Sequence, residues 1–202
     1  MKQILINEYP SMEGWSTLDK CLRVYDLIYD NGLKECAEIG AFGGKCTVSM
    51  GLALKETGGR VWTCDPYRGE DCCEGSNDPA NSGWWLHDVP FERIFTKMMT
   101  SVMKCGVLMQ VNFVRCRSDE MIHLIKDNSL DLMHADGVHN MEVAGWEVKN
   151  YAKKMKSGSY WVADDILWKE MTGVKDLIEN EMKWELEFLQ EGEQSYAIYR
   201  VP

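Results

Sequence analysis

The sequence contains no CxxC pair among its eight cysteines, no apolar run approaching the ~20 residues that cross a bilayer, and no cluster of basic side chains. Cys36, Cys46, Cys64, Cys105 and Cys116 sit inside apolar stretches, where a thiol acts as a small hydrophobe, and only Cys72 and Cys73 fall in a polar segment. That placement argues against a zinc site or a disulfide framework. It points instead to reduced thiols and a cytoplasmic address. The N-terminal apolar patch is too short for a signal peptide and is followed closely by Glu8. Twenty-two basic side chains against thirty-two acidic ones leave a formal charge of -10, a balance that repels phosphate backbones and leaves nucleic acid a poor partner. A membrane is no better a partner, whereas a homo-oligomer stays open. There is no internal repeat and no low-complexity linker. A chain of 202 residues, 45% of them hydrophobic, therefore reads as one domain over 1–202 with a sizeable core.

What the sequence does have is an alternation of short apolar strands with helical patterns. A helix is expected over Trp15–Asn31, with Ser16 or Thr17 as its N-cap and Gly32 as its stop. Strand-like Glu35–Ile39 leads through a glycine turn to a helix over Lys45–Glu56, and Arg60–Cys64 reads as a second strand. Next come a helix over Phe91–Lys104, a strand over Leu108–Val114 and a short helix over Ser118–Lys126. Leu130–Ala135 is a fourth strand, followed by a helix over Met141–Met155 and a strand over Ser159–Ala163. A last helix, Lys169–Asn180, precedes two strands, Trp184–Leu189 and Ser195–Val201. This order predicts an α/β domain with a mainly parallel sheet, right-handed crossovers and one antiparallel strand from the closing hairpin. Residues 68–89 show no period and hold Gly75, Asn77, Trp84 and Trp85, so they read as a lid or binding loop. The two tryptophans either stack on an acceptor or anchor the loop.

Three features carry chemistry. Glu38-Ile-Gly-Ala-Phe-Gly-Gly44 lies between a strand and a helix, where glycine lets backbone approach a ligand or simply closes a tight connection. Its spacing is neither the GxGxxG of nicotinamide enzymes nor a P-loop, because Gly44-Lys45 is followed by Cys46. Asp65 ends the second strand, where a carboxylate can accept both ribose hydroxyls or merely precede the turn at Pro66. Asp136-Gly-Val-His139 ends the fourth strand and Asp164-Asp165 the fifth. If those strands are neighbours, three carboxylates meet at one edge and repel unless a cation such as Mg²⁺ neutralises them. His139 could then take a proton from a substrate hydroxyl. The plainer alternative makes Asp164-Asp165 an N-cap pair and His139 a surface residue. His134, in a strand buried on both faces, reads as a hydrogen-bonded core residue.

The run Glu38–Gly44 resembles the ExGxxxG first motif of class I S-adenosylmethionine-dependent methyltransferases. The stretches Asp131–His139 and Met155–Asp165 resemble the signature of their metal-dependent O-methyltransferase branch, related to macrolide-sugar methyltransferases and the cephalosporin-biosynthesis protein family. Catechol O-methyltransferase is a more distant likeness. The resemblance spans roughly residues 15–200. It implies a Rossmann-like, mostly parallel seven-stranded sheet in the order 3-2-1-4-5-7-6, with helices on both faces. It also implies S-adenosylmethionine held by Glu38, Gly40, Phe42 and Gly44, by Asp65 on the ribose, by Arg117 and Ser118 beside the adenine, and by Asp136. Mg²⁺ or Mn²⁺ would sit on Asp136, Asp164 and Asp165, with His139 as general base. The chain departs from the pattern at Cys116-Arg117, where a glycine is usual, and at Asp164, where Glu is common. The implied reaction is methyl transfer to a hydroxyl of a small molecule such as a sugar, phenol or natural product. The alternatives are a cofactor-binding protein of the same fold without turnover, or a nicotinamide oxidoreductase, which the glycine spacing disfavours.

Overall fold

The computed structural model describes residues 1–74, 79–192 and 194–202. Seven strands, β1 (Glu35–Ile39), β2 (Arg60–Cys64), β3 (Val111–Val114), β4 (Leu130–Ala135), β5 (Met155–Asp164), β6 (Glu185–Gln190) and β7 (Tyr196–Arg200), form one sheet in the order β3-β2-β1-β4-β5-β7-β6. Neighbours among β1–β5 run parallel, while β7 is antiparallel to both β5 and β6. Successive strand residues point to opposite faces, and here both faces are covered. Cys36, Leu132 and Val162 pack on one side against Val24, Leu52 and Met98, while Ala37, Met133 and Trp161 pack on the other against Val148, Tyr151 and Leu177. Two-sided burial is why these strands read as apolar runs rather than as an alternation.

The helices are α1 (Lys2–Glu8), α2 (Leu18–Asp30), α3 (Lys45–Thr57), α4 (Gly69–Cys72), α5 (Pro79–His87), α6 (Phe91–Lys104), α7 (Ser118–Met121), α8 (Val143–Tyr151) and α9 (Thr172–Asp176). Thr17 caps α2 by accepting the Lys20 N–H at 3.2 Å, and α3 stops at Gly58 in the left-handed region. No helix among the described residues is long and apolar enough to cross a membrane.

Four expectations need correction. The third strand begins only at Val111, because residues 108–110 form a turn that leaves Met109 87% exposed. The helix after β4 ends at Tyr151, passes into a 3₁₀ turn, and lets β5 begin at Met155. The helix before the hairpin is broken into a 3₁₀ turn, α9 and a π turn over Leu177–Glu181. Residues 68–89 are not a structureless loop, since they hold α4 and α5; Gly75 and Asn77 lie outside the described residues. The two helices pack tightly, and a Cβ on Gly69 would lie 2.6 Å from the Trp85 carbonyl oxygen.

Candidate active site

Strand register builds the site. Ile39 pairs with Cys64 on one side and with Ala135 on the other, and Ala135 pairs with Ala163. Gly40, Asp65, Asp136 and Asp164 each follow one of these paired residues. They therefore form a row across four adjacent strands at the carboxyl edge, where ligands of open α/β sheets bind. A cavity of about 980 Å³ opens over this row, and all eleven residues singled out from the sequence line it.

The glycine turn is shaped first by its neighbours in the fold. Gly40 has φ +86°, and a Cβ there would lie 1.9 Å from the Asp136 carbonyl oxygen, so only glycine allows β1 to turn beside the end of β4. Phe42 is held at φ +38°, a left-handed conformation that non-glycine residues adopt at a cost. Its N–H donates to Asp65 Oδ2 at 2.9 Å and its carbonyl accepts from the Tyr67 hydroxyl at 2.6 Å. Gly44 helps form a bridge with Glu13, which carries Trp15 and Ser16 to the cavity wall. Glu38 is buried beneath the turn, accepting from the Thr47 and Thr63 hydroxyls, with Oε1 3.3 Å from His134 Nδ1.

Asp65 also accepts the Tyr67 N–H, at 2.8 Å, so each of its oxygens already holds one backbone donor. Each keeps a second lone pair for a ligand hydroxyl. Burial pushes its carboxyl up to about 6 against the pull of those two N–H groups. Ser118 opens α7. Arg117 is committed elsewhere in the wall: its guanidinium contacts Glu74 at 2.7 Å, Asp119 at 3.1 Å and Asp71 at 3.3 Å, tying the α4 segment to the turn after β3.

At the other end lies a buried cation that the sequence reading missed. Lys20, 2% exposed, places Nζ 2.7 Å from Asp164 Oδ2 and 3.5 Å from Asp136 Oδ2. Burial works against this ammonium, but the two carboxylates outweigh it and hold it protonated. Asp164 is likewise held down at about 2, the Lys20 charge overcoming the effect of burial. Asp136 is driven well up by burial and the charge of Asp164, and Asp165 to about 7 for the same two reasons. Three carboxyl groups thus gather about one ammonium, and two of them, Asp136 and Asp165, are shifted toward the protonated form. His139 Nε2 lies 3.6 Å from Asp136 and 3.7 Å from Asp165 and has no hydrogen-bond partner among the described residues. Burial lowers its imidazole to about 4, so it is neutral at pH 7.

The donor atoms of His139, Asp164 and Asp165 lie within 4.8 Å of one another, as do those of His134, Asp136 and Asp164. Asp164 is common to both groups, so an imidazole accompanies the carboxylates on each side of it. Hard carboxylate oxygens so grouped suit a divalent cation such as Mg²⁺ or Mn²⁺, whose charge would draw Asp136 and Asp165 back to the ionised form. His134 is buried as expected but forms no hydrogen bond among the described residues; it faces the acidic group, with Nε2 4.0 Å from Asp136. Asp164 and Asp165 are not an N-cap pair, because their side chains meet Lys20 and His139.

Aromatic side chains line part of the remaining cavity wall. Trp85 packs on Phe91 and Phe42, while Trp84 is 40% exposed, and both set an edge toward Trp15. Trp15 stacks on Phe42 at 4.7 Å. Trp168, unremarked in the sequence, lies 5.2 Å from the His139 ring.

This sheet order, with β7 reversed beside β5 and a glycine turn after β1, defines the class I methyltransferase fold. Cofactor-bound Rv0187 from MTB shares it at a TM-score of 0.71 with 12% identity, over 98% of this chain and 88% of that one. So does the O-methyltransferase from Bacillus cereus in complex with SAH, at 0.68 and 14% identity over 100% and 90%. TomG from Streptomyces achromogenes, an O-methyltransferase involved in tomaymycin synthesis, solved with SAM, gives 0.66 and 13% identity over 99% and 87%. Residues 37–166, well over half of the chain, match the family described as the methyltransferase domain, and the chain belongs to that family. Comparison with curated proteins finds no match.

Proposed function

We propose that the protein transfers a methyl group from S-adenosylmethionine to a hydroxyl of a small molecule, aided by a divalent cation. One observation carries the reading: the glycine turn, Asp65 and the group of Lys20, Asp136, His139, Asp164 and Asp165 open into a single cavity. The solved O-methyltransferases of the same fold, in complex with SAH or SAM, point the same way. Glu38, Gly40, Phe42, Gly44, Asp65, Ser118 and Asp136 would hold the cofactor, whose sulfonium charge supplies an activated methyl. Asp136, Asp164 and Asp165 would hold Mg²⁺ or Mn²⁺, which supplies Lewis-acid polarisation of an oxygen.

The chain's own residues do the rest. His139 is neutral at physiological pH, and its unpartnered Nε2 can take a proton from the acceptor hydroxyl. Lys20 keeps Asp164 ionised and oriented. Trp168 and Trp84 offer faces on which a ring can lie. Asp71 and Cys72 of α4 and Asn81, Trp84 and Trp85 of α5, within residues 68–89, line the cavity and would border a bound acceptor. Positioning supplies much of the rate, because the donor needs no further activation.

The test pairs S-adenosylhomocysteine binding by calorimetry with mass spectrometry on a panel of sugars, phenols and other hydroxylated acceptors. Saturable binding and a product one methylene heavier, lost on exhaustive chelation, are expected. No binding at millimolar ligand would overturn the cofactor reading. Turnover that survives chelation would remove the metal.

A further inference from the structure

The cavity wall contains a buried ionisable group that this chemistry does not use. Glu147 lies on α8 with Ala144, Val148 and Tyr151, is 2% exposed, and lines the cavity beside Cys64, Asp65 and Ser118. Its carboxylate lies against Gly137, where a Cβ would be 3.4 Å from Oε1. Among the described residues only Ser118 hydrogen-bonds its side chain and no cation pairs with it. Arg117, the cation that opposes the effect of burial on Glu147, is committed to Asp71, Glu74 and Asp119. A carboxylate has about four lone-pair sites, so this one retains acceptor capacity toward the cavity.

We propose that Glu147 reads the adenine of the cofactor by accepting a hydrogen bond from its exocyclic amine, making it a determinant of cofactor specificity. The inference rests on the proposed cofactor reading. If the methyl must face Asp136 and His139, and Asp65 takes the ribose, the base is directed to the cavity end lined by Ser118 and Glu147. The amine is the donor on adenine's Watson–Crick edge; its ring neighbour N1 is an acceptor. A carboxylate aligned on the 6-position therefore favours a 6-amino base over a 6-oxo base, whose oxygen would meet it lone pair to lone pair and whose N1–H donor lies at the neighbouring ring position.

The experiment measures dissociation constants of S-adenosylhomocysteine and its 6-oxo analogue, S-inosylhomocysteine, for the wild-type chain and Glu147→Gln. It is run at about pH 8.5 so that Glu147, which burial carries to about 7, is ionised. The wild type should prefer the amine by about 10- to 100-fold, the worth of a charged hydrogen bond. Glu147→Gln should narrow or reverse that preference, because its amide N–H can donate to the 6-oxo group. A wild type that binds both ligands equally would overturn the proposal without recourse to the variant. So would a folded Glu147→Gln that weakens both ligands by the same factor, since that is what a merely structural carboxylate would do. Binding of neither ligand to the wild type would instead bring down the cofactor reading, and this proposal with it.

Discussion

Replacing Lys20 by methionine keeps most of the buried stem and removes only the charge, which isolates what the ammonium does. In the wild type Nζ sits 2.7 Å from Asp164 and 3.5 Å from Asp136, in a site only 2% exposed at the lysine. Asp164 is held at about 2 instead of 3.8, a difference worth about 2–3 kcal/mol of stability at pH 7. Removing one partner of a buried pair typically costs about 3–5 kcal/mol, so a loss of about 3 kcal/mol is expected. The sign with pH follows from the depressed carboxyl. Its contribution is present above 3.8 and lost as pH falls through about 2. In Lys20→Met the two acids recover by taking up a proton at higher pH, so the gap between variant and wild type should shrink on mild acidification. Urea unfolding followed by circular dichroism, at about pH 7.5 and about pH 5, measures both quantities. Millimolar Mn²⁺ should narrow the gap as well, by restoring positive charge. A gap under about 1 kcal/mol at the higher pH, or one that widens in acid, would refute the reasoning.

His139→Ala should leave S-adenosylhomocysteine binding nearly intact while slowing methyl transfer about 10²–10⁴-fold. Because burial lowers His139 to about 4, its acid limb in kcat/KM should fall near that pH, leave the rate insensitive to it at neutrality, and vanish in the variant. Gly40→Ala should lower stability by about 3 kcal/mol or more, read as an unfolding midpoint, because strain at φ +86° adds to a clash with the Asp136 carbonyl. Asp65→Ala should weaken S-adenosylhomocysteine binding and also lower the melting temperature, since two backbone N–H groups lose their acceptor; unchanged affinity in a folded variant would sink the ribose assignment.

The central strands were legible because burial on both faces makes them short, mainly apolar runs, each closed at its carboxyl end by Gly or Asp. Glu35–Ile39, Arg60–Cys64 and Leu130–Ala135 come out of the sequence with the bounds they have in the fold. The acids at their ends were legible for the same reason, because a carboxylate closing an apolar run marks the carboxyl edge. Lys20 and Glu147 were not, although each left a trace. Lys20 stands four and eight residues before buried Val24 and Ile28 on α2, and Glu147 stands four before buried Tyr151 on α8. A charged residue on the apolar face of a helix signals a buried partner, but the partner lies far away in sequence and only the fold supplies it. The α4–α5 segment was illegible because neither helix carries a buried stripe of its own; α5 is held by the Trp85 contacts with Phe42 and Phe91.

A crystal soaked with S-adenosylhomocysteine and Mn²⁺ tests the proposed site most directly. Difference density should show the sulfur over the Gly40 turn, the ribose on Asp65, and an anomalous peak among Asp136, Asp164 and Asp165, with Lys20 still beside Asp164. Ligand density away from the carboxyl edge, or an empty cavity at saturating ligand, would contradict it.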